Sequence, residues 1–159
     1  MMESTPPSEF PLEKVHAAHR QSMIIMASIA SSLIGYALVV EALRRMQPDA
    51  VPVPAADVLR MVFFALAGVV IFATSLTKTM LLRSVPPGPE ARISRLRTTS
   101  ILTAALSEVP AVFGLASFLT IRRRGDFYIL LVVAAYMIVR HFPQRDAWEL
   151  YVRRGGDAR

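Results

Sequence analysis

Four stretches of the chain go without charge long enough to cross a bilayer or nearly so. Gln21 to Val40 is twenty residues with no charged side chain, and a helix of about twenty apolar residues spans the roughly 30 Å hydrocarbon core. Met61 to Thr77 gives seventeen more. Lys78 and the run Met80-Leu81-Leu82 extend it, because a lysine near a helix end snorkels to the headgroups. Thr98 to Ile121 is uncharged except for Glu108, and Phe127 to Val139 is a thirteen-residue apolar run closed by Arg140, His141 and Pro143. So short a fourth span is expected to tilt, to thin the bilayer or to stop in the interface. The pattern predicts an all-α polytopic membrane protein with four transmembrane helices, at about 20–43, 58–82, 98–121 and 127–142. A polar segment, 1–19, precedes them and a basic tail, 143–159, follows.

Composition agrees. Of 159 residues, 53% are hydrophobic and 19% charged, with a mean hydropathy of +0.43, too apolar for an ordinary soluble domain, for a disordered chain or for a nucleic-acid-binding tail. The net charge of +6 comes from sixteen Arg and two Lys against twelve acids. Twelve of the basic residues fall in the N-terminal segment, the span 2–3 connection and the C-terminal tail, and six (Arg44, Arg45, Arg60, Arg122, Arg123, Arg124) fall on the other side. The positive-inside rule therefore puts both termini in the cytoplasm, as in a bacterial-type inner or plasma membrane. The Pro-rich, acidic start lacks the apolar core of a signal peptide, so span 1 is expected to stay in the mature chain. Turn residues mark the connections: Gln47-Pro48-Asp49 with Pro52 and Pro54, Val85-Pro86-Pro87-Gly88-Pro89, and Arg124-Gly125-Asp126. The tail around Trp148, Leu150 and Tyr151 mixes aromatic and basic residues, as interfacial segments do, and is read as an anchor on anionic headgroups or, less often, a handle for a soluble partner.

Little of the chain points to catalysis. Without cysteine there is no disulfide, no thiolate-held zinc or iron–sulfur cluster and no thiol nucleophile. No nucleotide-binding glycine loop, serine elbow or metalloprotease helix occurs, so neither an enzyme nor a resident cofactor is expected. His16 and His19, three apart before span 1, and His141 at the end of span 4 read as solvated interfacial imidazoles. Ligation of a haem or chlorophyll is the minor alternative.

Small residues mark the faces on which membrane helices approach closely. Span 1 has Ala27, Ser31 and Gly35, span 2 has Ala65 and Gly68, and span 3 has Ala104, Ala111 and Gly114. These predict packing within the bundle, against further copies in a homo-oligomer, or against other membrane subunits. Glu108, in the middle of span 3, is costly when ionised there, about 2.5–3.5 kcal/mol on insertion scales, and must be protonated, paired or beside water. Ser107, Ser75 and Ser32 are the candidate partners. Pro110 has no N–H, so it frees the carbonyl of Leu106 and is expected to kink the helix; with Ser107 and Glu108 these residues make a candidate ion-binding group.

Pro89-Glu90-Ala91-Arg92, followed by Leu96 to Leu115 with Ala105-Leu106-Ser107-Glu108 and Ala111 to Leu115 within it, resembles the proteolipid c subunit of rotary ATP synthases. The resemblance covers about a third of the chain. It implies a hairpin of spans 2 and 3, a cytoplasmic loop around Arg83, Pro87 and Pro89, and Glu108 as the proton or ion site. Span 2 holds Ala65, Ala67 and Gly68 where that family's inner helix carries a regular glycine run. The expected function is a proteolipid-like integral membrane subunit with a buried protonatable carboxylate, coupled to proton or ion movement. The alternative is a non-catalytic accessory subunit of a larger membrane complex, in which Glu108 is interhelical hydrogen-bonding glue.

Overall fold

The structure, a computed structural model, describes residues 12–46, 55–83 and 86–153. Gln47-Pro48-Asp49, Pro52, Pro54 and Val85 of the expected connections lie outside them. Every element among the described residues is helical: α1 (Leu12–Met46), α2 (Ala56–Arg83), α3 (Pro89–Ile121), α4 (Arg124–Arg140) and α5 (Arg145–Arg153). Three of them, α1 to α3, are long and apolar enough to cross a membrane; α4 and α5, bent by 49° to each other, reach that length and apolarity only when taken together. Helices of this length and apolarity are compatible with a multi-pass membrane protein.

The helices run past the apolar stretches that announce them. α1 begins at Leu12, with Glu13 in its first turn, and α3 begins at Pro89, with Glu90 beside it. Proline at the first helical position and an acid in the first turn both favour a helix start, so the polar ends are helical too. The connection between α3 and α4 also differs from expectation. The turn consists of Arg122 and Arg123, whereas Arg124, Gly125 and Asp126 form the first turn of α4. Arg122 adopts the left-handed conformation (φ 63°) and its N–H donates to Phe118 O, the geometry that commonly ends a helix. Asp126 then lies at a helix N-terminus, where its charge is favoured.

α3 is the centre. It touches all four other helices, while α1 and α2 do not meet among the described residues. Its apolar stretch is 44% buried, against 17% for α1 and 11% for α2. The middle layer joins Met26 and Leu33 of α1, Ala104 and Ala111 of α3, and Ala134 and Ile138 of α4. Above it, Val40, Phe118 and Phe127 form a second cluster; at the opposite end Val15, Ala18, Leu96, Trp148 and Val152 bring α5 onto α1 and α3. From α1 to α4 successive helices run antiparallel, and polar pairs close each end. Lys14 donates to Glu90 at 2.5 Å at the α5 end, and Arg60–Asp126 (3.1 Å) and Arg123–Asp57 (2.9 Å) lie at the other.

The small residues divide between two environments. Ala104 and Ala111 are buried, and Gly114 meets α4 so closely that a Cβ there would lie 3.1 Å from both Leu130 Cβ and Phe127 O. Ala27, Ser31, Gly35, Ala65 and Gly68 are exposed, and a Cβ on Gly35 or Gly68 would meet nothing within 4 Å. Gly114→Ala should therefore destabilise the bundle by about 1–3 kcal/mol, because backbone rather than a flexible side chain blocks the new methyl. Gly35→Ala should leave stability unchanged or slightly raised. Thermal unfolding of the two variants in one detergent separates them, and equal effects would contradict the α3–α4 contact.

Candidate functional site

Glu108 is carried to mid-bundle by α3, and the side chains that meet it come from α1. Tyr36 Oη donates to Glu108 Oε1 at 2.6 Å, and Ser32 Oγ lies 2.5 Å from the same oxygen and 2.7 Å from Ile29 O of its own helix, one hydrogen between two acceptors. Ser32 and Tyr36 are four residues apart, one helical turn, so both lie on the face of α1 that looks at α3. Among the described residues no donor reaches Oε2.

Of the three expected hydroxyl partners, Ser32 is the one at the carboxyl. Ser107 Oγ donates instead to Thr103 O at 2.6 Å and Ser75 Oγ to Ile71 O at 3.2 Å, each within its own helix. Tyr36 is a partner that the sequence reading passed over. Its signal was there, since a phenol one turn after Ser32 presents its hydroxyl on the same face. Pro110 is fully buried inside α3, which continues through it from Pro89 to Ile121. Leu106 is half-buried one turn before it, and Ser107 is fully buried.

A second polar cluster closes the end where α5 docks. His16 Nε2 lies 3.1 Å from Glu149 Oε1 and 2.9 Å from an Arg145 guanidinium nitrogen. His19 Nε2 is 3.0 Å from Pro143 O, with its ring edge-on to Trp148. His141 is buried, its Nδ1 2.8 Å from Met137 O. The three imidazoles are thus engaged with protein groups at that end. Arg92, also buried, donates to Pro86 O and Val152 O, so one guanidinium holds both the loop before α3 and the last carbonyls of α5. Among the described residues no group of three or more His, Asp or Glu side chains is placed to hold a metal.

At the other end Glu41 joins α1 to α4, accepting from Tyr128 Oη at 2.6 Å, and Arg44 lies 3.3 Å from its other oxygen. Asp126, only 5% exposed, receives Arg60 Nε at 3.1 Å, which links α2 to α4.

Comparison with known proteins finds no matching family model, no matching curated protein and no matching solved structure. The reading of this site therefore rests on its own geometry.

The docking of α5 has a pH signature. Hydrogen bonds from His16 and Arg145 hold the Glu149 carboxyl below its ordinary value of 4.5. Its contribution is complete above that value and is lost as the pH falls through the lower value of the docked state. Trp148, the single tryptophan, is buried beside it, so its emission reports the docking. The emission should hold steady through the ordinary carboxylate range and change only at more acid pH, as Glu149 is protonated. Glu149→Gln should remove that acid step, and an unaltered step in the variant would contradict the assignment.

Proposed function

We propose that this chain is a four-span integral membrane subunit, non-catalytic, in which the Glu108 carboxyl fastens α1 to α3 as part of a larger membrane assembly. The observation that carries the reading is that both hydroxyls at Glu108 come from one neighbouring helix of the same chain. A carboxyl so engaged serves cohesion between helices, where hydrogen bonding is worth about 0.6–2 kcal/mol.

In this reading α4 is the fourth span. Its seventeen residues reach about 25 Å, short of the roughly 30 Å core. Snorkelling of the arginines at its two ends, Arg124 and Arg140, and local thinning make up the difference. α5, with four charged residues in nine, lies at the interface. The distribution of arginines supports cytoplasmic termini in a bacterial-type inner or plasma membrane. Large exposed apolar side chains such as Leu38, Phe72, Val132 and Val139 face lipid, further copies of the chain or other membrane subunits. No cofactor and no nucleic acid belong to this function.

One observation favours a second reading, that of a proteolipid-like proton site. With both hydroxyls at Oε1, an exchangeable proton would sit on Oε2, which no donor reaches among the described residues. The resemblance of the Leu96–Leu115 stretch to the c subunit supports the same reading.

Glu108→Gln tests the two together, because an amide oxygen still accepts from Ser32 and Tyr36 but cannot release a proton. The variant should keep the native particle mass in mild detergent and stay within about 1 kcal/mol of the parent in stability. Dissociation or a larger loss contradicts the fastening role. A carboxyl-directed carbodiimide applied to the parent then reads the proton site. Modification of Glu108 that rises as pH falls supports proton binding, and an inert Glu108 across about pH 5–8 removes that reading.

A further inference from the structure

Where α5 docks, the last turns of α2, the first half of α3 and the α4–α5 corner line a half-open cavity of about 350 Å³. This is near the lower end of the roughly 300–1,000 Å³ typical of small-molecule sites. Lys78, Arg140 and His141 line it, and none of its lining residues is an acid. Lys78 has no acidic partner among the described residues. Arg140 uses one guanidinium nitrogen on Tyr136 Oη, at 3.1 Å, which leaves its other donors for a ligand.

Two hydroxyls complete the donor set. Thr99, 4% exposed, and Tyr151 also line the cavity, and the hydroxyl oxygens of both are shut off from solvent with no hydrogen-bond partner. Buried hydroxyls are normally bonded, and an orphan calls for a missing partner. Lysine and arginine charge, two idle hydroxyl donors and no competing carboxylate suit an anion rich in acceptor oxygens. Phe142 and Trp148 on the same wall are the aromatic types that sit at headgroup depth.

We propose that this cavity binds a phosphoryl group, with Lys78 and Arg140 supplying charge and with the hydroxyls of Thr99 and Tyr151, which have no accessible surface in this structure, turning toward the bound group to supply hydrogen bonds. The group belongs to a phospholipid headgroup or to soluble phosphate, and the two sources are separable by experiment. The proposal stands apart from the Glu108 reading, since none of these residues touches that carboxyl.

The test uses the full chain, purified in neutral detergent and exposed to phosphatidylglycerol, to phosphatidylcholine or to inorganic phosphate, with retained ligand counted by native mass spectrometry. One phosphatidylglycerol per chain should be retained about fivefold or more over phosphatidylcholine, and Lys78→Met should lower retention by about fivefold, the weight of one basic group near a membrane surface. Thr99→Val, which keeps the side-chain shape, should weaken retention without altering Trp148 emission, and it serves if Lys78→Met fails to fold. Arg83→Gln, at the end of α2 and outside the cavity lining, should leave retention unchanged. Displacement of the lipid by inorganic phosphate, with ³¹P line broadening that Lys78→Met abolishes, would assign the site to soluble phosphate. The proposal fails if neither probe binds selectively, or if Arg83→Gln weakens binding as much as Lys78→Met does, which would mean diffuse interfacial charge.

Discussion

The hydroxyls of Ser32 and Tyr36 meet the Glu108 carboxyl at mid-bundle and join α1 to α3, the helix that touches every other one. Lipid does not drive helices together hydrophobically, and a polar group in the hydrocarbon core must find its partner within the protein. α3 carries the densest set of such groups. It bonds Thr103 and Ser107 to its own preceding carbonyls and Glu108 to α1. The self-contained hydroxyls stay within their own helix, whereas Glu108 reaches across to α1. Met26 and Leu33 of α1 meet Ala104 and Ala111 of α3 on either side of that contact.

The opposite face of α3 depends on absence of bulk. Gly114 lets Phe127 and Leu130 of α4 approach to the limit of contact, and close approach maximises the dispersion attraction that holds membrane helices together. A two-residue turn with Arg122 in the left-handed conformation is short enough to force the antiparallel neighbour into this register. The polar ends then fix the remaining helices. Arg60–Asp126 and Glu41–Tyr128 tie α2 and α1 to the start of α4, and Arg92 ties α5 to the start of α3.

Much of this architecture was legible in the uncharged runs, because the hydrocarbon thickness sets a helix length that Gln21–Val40, Met61–Thr77 and Thr98–Ile121 meet. Glu108 was legible as the single acid inside such a run, and Ser32 as one of three hydroxyls able to reach it. Which face of α1 turns inward was not. Exposed Ile34 and Leu38 are as apolar as buried Leu33 and Val40, so in a membrane helix hydrophobicity does not tell the packed side from the lipid side. Tyr36 and the inward face follow only from the turn that places the phenol above Ser32. The Arg124-Gly125-Asp126 segment read as a loop by its turn residues, yet the left-handed residue that ends α3 comes two positions earlier, and Asp126 is held in the helix by Arg60. Thr99 and Tyr151 gave no signal, since a hydroxyl on an apolar helix looks alike whether or not it is paired.

The most direct test of the central claim is a double-mutant cycle between Glu108→Leu and Tyr36→Phe, read as unfolding free energy in detergent, because the cycle isolates the pair from each residue's other contacts. A coupling of about 0.6–1.7 kcal/mol, the range found for hydrogen bonds between membrane helices, is the predicted result. Additive losses with no coupling would contradict the α1–α3 hydrogen bond.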